Sequence, residues 1–157
     1  MTWDELAEYF DRLGEEVMSQ VPDIVAETAN EYFRETFSTK QFDKQAWPPA
    51  KVPKRTGSLL VESGNLVNSI RPAVVSRERV VISAGNDKVN YARVHNEGFS
   101  GPVTIPAHTR KGKNGPVNVS THTRNVTIQQ RQFMGMAHEL NNTIRTRIDN
   151  YINGIIS

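Results

Sequence analysis

The feature that most constrains the fold is a pair of polar, strand-forming segments joined by a flexible basic turn. Residues 102–110 read PVTIPAHTR, residues 111–115 read KGKNG, and residues 116–128 read PVNVSTHTRNVTI. A turn-rich segment between two β-prone runs is typical of a β-hairpin, so the sequence predicts an extended hairpin over residues 102–130. Because this hairpin has few large apolar side chains, we expect it to lie against another chain or in a groove.

Two other segments have the apolar period of amphipathic helices. In residues 2–37, apolar side chains recur every three or four positions, and Thr2 with Glu5 fits a capping box. Pro22 interrupts this pattern, which predicts a kink or two abutting helices. Residues 134–156 carry a second stripe, which predicts a C-terminal helix.

The segment from 38 to 57 is unlike its neighbours. It contains three prolines and five Lys or Arg residues, so we expect a mobile Pro-rich loop without regular structure. Phe42 and Trp47 are its only large rings and are expected to pin it onto the domain. Trp47 is also a candidate interface residue, because a ring in a basic loop can stack on nucleic acid.

The middle of the chain predicts short strands. Residues 73–75 and 79–84 are β-branched and read as a hairpin, after a turn at 63–65. Residues 90–95 read as a further strand, with Tyr91, Arg93 and His95 on one face.

Taken together, the elements predict one α+β domain over residues 1–157. We expect a long N-terminal helix and a C-terminal helix packed on a small antiparallel β-sheet, with a long protruding β-hairpin.

Composition excludes several classes of protein. The chain has no cysteine, so it has neither disulfides nor thiolate chemistry. Its acidic, amphipathic N-terminus is not a signal peptide. No run approaches about 18 apolar residues, so we expect no membrane-spanning helix.

No motif selects a catalytic or metal site. The four histidines, at 95, 108, 122 and 138, lack the short spacings of zinc ligands. If the hairpin arms pair, His108 and His122 become neighbours, for which a structural or interface use is favoured over metal binding. Neither a GxSxG nucleophile turn nor a glycine-rich phosphate loop is present, and the carboxylates after residue 35 are scattered. A hydrolase with an unrecognised site stays open, but we expect a protein without enzymatic activity, metal or cofactor.

Charge is distributed unevenly. Residues 1–35 hold ten acidic residues and two arginines, whereas residues 36–157 hold seventeen Lys or Arg and seven acidic residues. This asymmetry suits head-to-tail contact between copies, and it equally suits a solvated helix face. The hairpin from 102 to 124 contains no acid, and its cations are candidates for contact with phosphates or with another subunit: Arg110, Lys111, Lys113 and Arg124.

Five segments, taken in order, resemble a known family. They are FDKQAWPPAK (42–51), LLVESGNLVNSI (59–70), VVISAGNDKVNYARVHNEGF (80–99), the two HTR triplets of the hairpin, and RQFMGMAHEL (131–140). Their order and spacing resemble the phage virion morphogenesis proteins, which are tail-completion and neck proteins of tailed phages and prophages. Pro49–Ala50 departs from the pattern, since members often have an aliphatic residue there.

The resemblance implies a structural virion protein, assembled in the host bacterial cytoplasm, that completes the tail or joins head to tail. Such proteins commonly form rings of six subunits, so the implied partners are further copies of the chain and other head–tail connector or tail proteins. Contact with DNA through the basic hairpin is the alternative.

The resemblance also implies roles for individual residues, none of them catalytic. Tyr91 and Ala92 are expected to pack on the core, and His95 and Asn96 to hydrogen-bond the chain where it turns at Gly98. Replacing His95 with alanine should therefore lower stability or assembly. The other residues to which a structural role is assigned are Gly64, Phe133 and Gly135.

Overall fold

The N-terminal helix is the longest element of the structure. In the computed structural model, which describes residues 1–157, α1 spans Trp3–Thr39. The predicted capping box is confirmed, with the Thr2 hydroxyl accepting a hydrogen bond from the Glu5 N–H. Of the two alternatives predicted at Pro22, a kink or two abutting helices, the second is wrong, because α1 continues through this residue. Pro22 has no N–H and therefore removes one backbone hydrogen bond from the helix. The Pro22 side chain is buried, and the packing of the C-terminal half of α1 outweighs that loss.

A tight hairpin and an irregular segment follow α1. β1 (Gln41–Phe42) pairs with β2 (Gln45–Ala46), and the connecting Asp43–Lys44 pair has φ values of 47° and 67°. Two successive positive φ values are those of a type I′ turn, which suits the twist of a short hairpin. Residues 47–64, named the strap below, contain no helix and no strand apart from an isolated β-bridge between Ser58 and Val61. The prediction that residues 38–57 lack regular structure is therefore wrong for residues 38–39, which end α1, and for the hairpin at 41–46, whereas residues 47–57 are irregular.

The predicted central hairpin is confirmed. α2 is a single turn (Asn65–Asn68), after which β3 (Arg71–Val75) pairs antiparallel with β4 (Val80–Ser83). The register shifts between Pro72 and Val74, which places a bulge in β3. A bulge accommodates proline, which cannot donate a ladder hydrogen bond.

The strand predicted over residues 90–95 is wrong. Residues Ala92–Glu97 form a short helix, α3. Arg93 and Glu97 form an ion pair one turn apart, at 2.9 Å, which is a helical spacing. The small side chain of Ala92 is buried against the core. The alternation of polar and apolar residues that suggested a strand therefore belongs to a short helix.

The extended hairpin is confirmed and begins at Phe99. β5 (Phe99–Ile105) pairs with β8 (His122–Ile128), and β6 (His108–Gly112) pairs with β7 (Gly115–Val119). Both ladders are antiparallel, and the turn lies at Lys113–Asn114.

The last helix, α4, spans His138–Ile156 and not the expected 134–156. Gly135 has a φ of 141°, a conformation outside the helical region, and residues 131–134 are held instead by hydrogen bonds to α3. The helical period is therefore present in the sequence before the helix itself begins.

The core lies where the C-terminal half of α1 meets aromatic side chains from other elements. The Phe37 ring lies edge-on to Trp47, with centroids 5.5 Å apart, and 5.1 Å from the ring of Phe133. α1 also packs against α4 and against the β3–β4 hairpin. The predicted α+β class is confirmed, with the strands forming four separate two-stranded ladders. The buried cluster comprises Ala29, Phe33, Phe37, Phe42, Trp47, Leu66, Ile70, Val89, Ala92, Phe133, Ala137 and Leu140.

Candidate assembly surface

The β5–β8 hairpin has two open edges. β5 pairs only with β8 and β6 only with β7, so each strand presents one row of unpaired backbone groups. No residue of the hairpin is buried, and the hairpin makes no extensive contact with any helix or other strand. Where the two ladders meet, the Thr121 hydroxyl accepts a hydrogen bond from the Ala107 N–H at 3.1 Å, which connects the arms across the junction. The hairpin is a continuous ribbon whose faces and edges are available to another molecule.

The four predicted interface cations of the hairpin are exposed and carry no ion pair. Arg110 lies opposite Val117 and Lys111 opposite Pro116, so these neighbours point to opposite faces of the ribbon. Lys113 lies in the turn. Arg124 of β8 lies opposite Val103 of β5. None of the four salt bridges of the structure involves the hairpin. The ribbon therefore carries positive charge on both faces and at its tip.

His108 and His122 are neighbours, as predicted for paired arms. Their ring centroids are 6.4 Å apart. Each Nδ1 lies 3.0 Å from a backbone carbonyl two residues earlier, that of Pro106 and that of Ser120. The rings thus shape the junction between the two ladders. No group of three or more His, Asp or Glu side chains lies close enough together to hold a metal ion.

Trp47 lies in the core and not on the hairpin surface. Its side chain is 7% exposed, and its Nε1 donates a 2.7 Å hydrogen bond to the Gln132 carbonyl. Together with the buried Phe42, it attaches the start of the strap to the domain. The candidate interface residues on the surface are therefore the four hairpin cations.

Both His95 and Asn96 are expected to hydrogen-bond the chain near Gly98, but only the Asn96 side chain forms such bonds. Its Oδ1 accepts from the N–H groups of Phe133 and Met134, each at 2.9 Å, and its Nδ2 donates to the Met134 carbonyl at 3.2 Å. These bonds hold the buried ring of Phe133 in the core. No local pattern marks Asn96, since its partners are distant in sequence.

The His95 side chain makes no hydrogen bond. Its Nδ1 is buried without a partner, and its ring lies edge-on to Tyr91 at 5.7 Å. Burial lowers the pKa of His95, and the nearby charges of Arg131 and Lys54 lower it further. Tyr91 is 38% exposed, so Ala92, and not Tyr91, meets the core. His95 contributes through its backbone, whose carbonyl accepts from the Arg131 N–H at 2.9 Å.

The three glycines with a predicted structural role occupy backbone conformations that L-residues rarely adopt. Gly64, Gly98 and Gly135 have φ values of 78°, 77° and 141°. At Gly98 a Cβ atom would also lie 3.2 Å from the backbone nitrogen of Gln130. Gly98 therefore lets the chain leave α3 and pass closely beside the strand that returns from the hairpin.

A cavity of about 590 Å³ lies between the strap, α2 and α3. Leu59, Leu60, Leu66 and Tyr91 contribute apolar surface to this strap pocket. It is also lined by Lys54, Glu62, His95 and Arg131. Lys54 pairs with Glu62 at 3.2 Å. Arg131 instead donates to neutral carbonyls, at 2.9 Å to Pro48 and at 3.0 Å to Pro49.

The first turns of α1 form an exposed, acidic arm, defined as residues 3–13. Counted from the N-terminus, Glu15 is the first residue of α1 that forms an ion pair, at 2.7 Å with Arg77 between β3 and β4. In the arm, Trp3 is 86% exposed and Phe10 is 58% exposed. Trp3 continues the apolar stripe by one helical step toward the N-terminus, a signal present in the sequence but not used in the prediction.

The structure contains no helix that is both long and apolar enough to cross a bilayer.

Comparisons with known proteins agree with the resemblance noted in the sequence. Searches of curated proteins and of solved structures gave no match. The model of the phage virion morphogenesis family matches residues 2–153, from the acidic arm to the last turns of α4. This is a structural family of virion-associated proteins. The chain therefore belongs to the phage virion morphogenesis family and has a structural role in phage assembly.

Proposed function

We propose that this chain is a tail-completion or head–tail joining protein that works as a ring-forming subunit. It assembles in the host bacterial cytoplasm and contacts further copies of itself and other head–tail connector or tail proteins. A ring of six is the expected size from the family resemblance. Closed rings use heterologous contacts, in which one patch of each subunit meets a different patch of the next.

The observation that carries this proposal is the uncovered hairpin. An isolated two-stranded ribbon is marginally stable in water, because too little of its surface is removed from solvent. Here a ribbon with exposed valines, Val103 and Val117, has two open edges and no covering element. An assembly that buries one face or pairs one edge would supply the missing contacts.

Charge supports a second copy as the covering partner. The hairpin carries four cations and no acid between residues 102 and 124, whereas α1 carries most of the acidic residues of the chain. Glu15 and Glu31 are already paired within the subunit, with Arg77 and Arg147. The remaining acids of α1 have no ion-pair partner, so a neighbour's basic surface complements them.

Light scattering over a range of protein and salt concentrations tests the proposal. The mass should rise with protein concentration, and the rise should weaken with salt because screening reduces attraction between exposed charges. Lys111→Glu with Lys113→Glu should reduce the association. Lys88→Glu with Arg145→Glu is the matched control, since it changes the charge equally at exposed sites outside the hairpin. A constant mass of one subunit under all conditions would contradict the proposal.

Contact with DNA is the second candidate function. A two-stranded ribbon with unpaired cations on both faces can follow a phosphate backbone, and in a ring the basic tips could face a channel that carries DNA. If all four cations contact phosphates, the logarithm of the affinity should fall with the logarithm of salt with a slope of about −3.6. Lys111→Glu with Lys113→Glu should abolish this binding; DNA affinity that is insensitive to salt would contradict it.

A further inference from the structure

The strap pocket has the chemistry to receive an aromatic side chain with acidic neighbours. Its volume of about 590 Å³ is typical of ligand-binding cavities, and four of its side chains are leucine or tyrosine. Its only carboxylate, Glu62, is paired with Lys54. The charge of Arg131 has no carboxylate partner, since its guanidinium donates to carbonyls of Pro48 and Pro49 and to the Gln129 amide. The pocket therefore combines apolar walls with a net positive charge.

The acidic arm offers the complementary group. Trp3 lies in its first turn, is almost fully exposed, and is followed by Asp4, Glu5 and Glu8. Tryptophan is among the side chains enriched as anchors of protein interfaces, because it buries a large rigid surface at small entropic cost. An exposed tryptophan at the end of a helix, outside the buried cluster, fits this role better than a role in the subunit's own core.

The same subunit cannot supply both partners. Arg34 of α1 donates a hydrogen bond to Asn68 of α2, and α2 also lines the pocket through Asn65 and Leu66. At about 1.5 Å of rise per residue, Trp3 lies about 45 Å along the same continuous helix from Arg34. The arm and the pocket are thus held at opposite ends of α1, and only a second molecule can bring them together.

We propose that the acidic arm of one copy docks in the strap pocket of a second copy, with Trp3 as the anchor and its carboxylates near Lys54 and Arg131. This inference rests on the proposed self-association and specifies one contact of it. Because the arm and the pocket are different patches, the contact is head-to-tail, and each copy can bind one neighbour at each end. A row of such contacts either closes into a ring or continues as a filament.

Single variants of the full chain test this contact. Trp3→Ala removes the anchor, and Tyr91→Glu places a carboxylate in the pocket; both positions are exposed, so folding should be retained, as checked by circular dichroism. Each should weaken self-association in sedimentation velocity by about tenfold or more. Tyr9→Ala is the matched control, because Tyr9 is an exposed ring of the same arm on a different face of the helix. Association unchanged by Trp3→Ala or Tyr91→Glu would overturn the inference.

Mixing the two variants gives the sharper result. Trp3→Ala retains an intact pocket and Tyr91→Glu retains an intact arm, so mixing them should restore one arm contact per pair and raise the average mass above that of either variant alone. A mixture that stays monomeric would overturn the head-to-tail pairing.

Tryptophan fluorescence provides an independent readout, since Trp3 and Trp47 are the only two tryptophans and Trp47 is already buried. The emission of Trp3 should shift to the blue, and its quenching by iodide should fall, as protein concentration rises. Trp3 emission that is unchanged while the mass increases would overturn the inference.

The outcomes separate this contact from the wider proposal. If Trp3→Ala associates normally while Lys111→Glu with Lys113→Glu does not, the arm contact is wrong and the proposed function stands. If the unmodified chain remains a monomer at every concentration, both are wrong.

Discussion

Asn96 shows how one side chain can hold two distant segments of this chain together. Its amide satisfies two backbone N–H groups and one carbonyl in the segment that leads to α4. The Gln130 side chain in turn donates to the Asn96 carbonyl at 3.0 Å. Because the Phe133 ring is buried directly beside these bonds, they fix a core residue in a segment that has no regular secondary structure.

Replacing Asn96 with alanine should lower the free energy of unfolding by about 2–3 kcal/mol, because two backbone donors lose their acceptor in a partly buried site. Chemical denaturation measures this loss. Asn90→Ala, at an exposed position near α3, is the control and should change stability little. Equal stability of the two variants would contradict the role assigned to Asn96.

His95 predicts a pH dependence of stability. Its pKa in the folded chain lies below the value of 6.5 for a free side chain, so the fold favours the neutral ring. The unfolded chain then binds more protons in the interval between the two pKa values, and the free energy of unfolding should fall as pH decreases below about 6.5. His95→Gln should show a smaller decrease between pH 7.5 and 5.5. Parallel pH profiles for the two proteins would show that His95 makes no such contribution.

At the scale of elements, α4 begins with a cap from another part of the chain. Ala137 at its N-cap position has no side chain that can accept a hydrogen bond, and Asp43 of the β1–β2 turn accepts from the Glu139 N–H at 3.0 Å. Tyr32 of α1 donates to the Glu139 carboxylate at 3.1 Å and accepts from the Asp43 N–H at 3.0 Å. The turn, α1 and α4 are therefore joined at one point.

Asp43→Ala should lower the unfolding temperature, because the first turn of α4 loses its acceptor and alanine is less suited than aspartate to the positive φ of this turn. Thr2→Ala removes the cap of the exposed end of α1 and should have a much smaller effect, since the arm contributes no buried residue. The N–H groups of Glu139 and His138 keep the pKa of Asp43 below its usual value, so its contribution should be present at neutral pH and lost as pH falls through that pKa. Calorimetry of both variants checks the order; a larger effect for Thr2→Ala would contradict it.

Sequence reasoning located most elements and failed where distant contacts decide the structure. The helices, the central hairpin and the long hairpin follow from local periodicity and turn residues, and all of them are present. The strand predicted over residues 90–95 is wrong because a segment of six residues fits a strand and a helical turn equally well, and the structure has a helix over Ala92–Glu97. The deciding bonds join Asn96 to residues 37 and 38 positions away, which no local pattern carries. The same bonds explain why α4 begins later than its apolar period.

For the candidate interface residues, residue type predicted exposure correctly for the cations and incorrectly for Trp47. The four hairpin cations are exposed, as a basic turn suggests, whereas Trp47 is enclosed by Phe37 and the chain at Gln132. Composition alone does not distinguish a ring that anchors a loop from a ring that faces solvent. Trp3, by contrast, lies in the first turn of α1, well before Glu15, which is the first residue of the helix with an ion pair to the rest of the domain.

At the scale of the whole molecule, the buried core occupies the middle, and both the hairpin and the acidic arm lie outside it. All members of the core cluster come from residues 29–140, and none comes from the hairpin. The hairpin is therefore separable from the folding of the subunit, even though it carries the surface that the proposed assembly needs.

Excising residues 106–121 and joining Ile105 to His122 through Asn–Gly should leave the unfolding temperature of the dilute protein unchanged, because no excised side chain is buried. The same variant should show weaker concentration-dependent association than the full chain, as followed by light scattering. Unfolding of the shortened chain would show that the hairpin stabilises its own subunit. Association equal to that of the full chain would show that the excised part of the ribbon is not an interface.

The most direct measurement is amide hydrogen exchange of residues 99–128 in the full chain, followed as protein concentration rises and compared with the amides of α1. Exchange in the hairpin should be fast in the dilute protein, and protection should increase with concentration in step with the molecular mass, while the core of α1 stays protected throughout. Strong protection of the hairpin in a dilute protein that remains a single subunit at every concentration would contradict the proposed assembly through the hairpin.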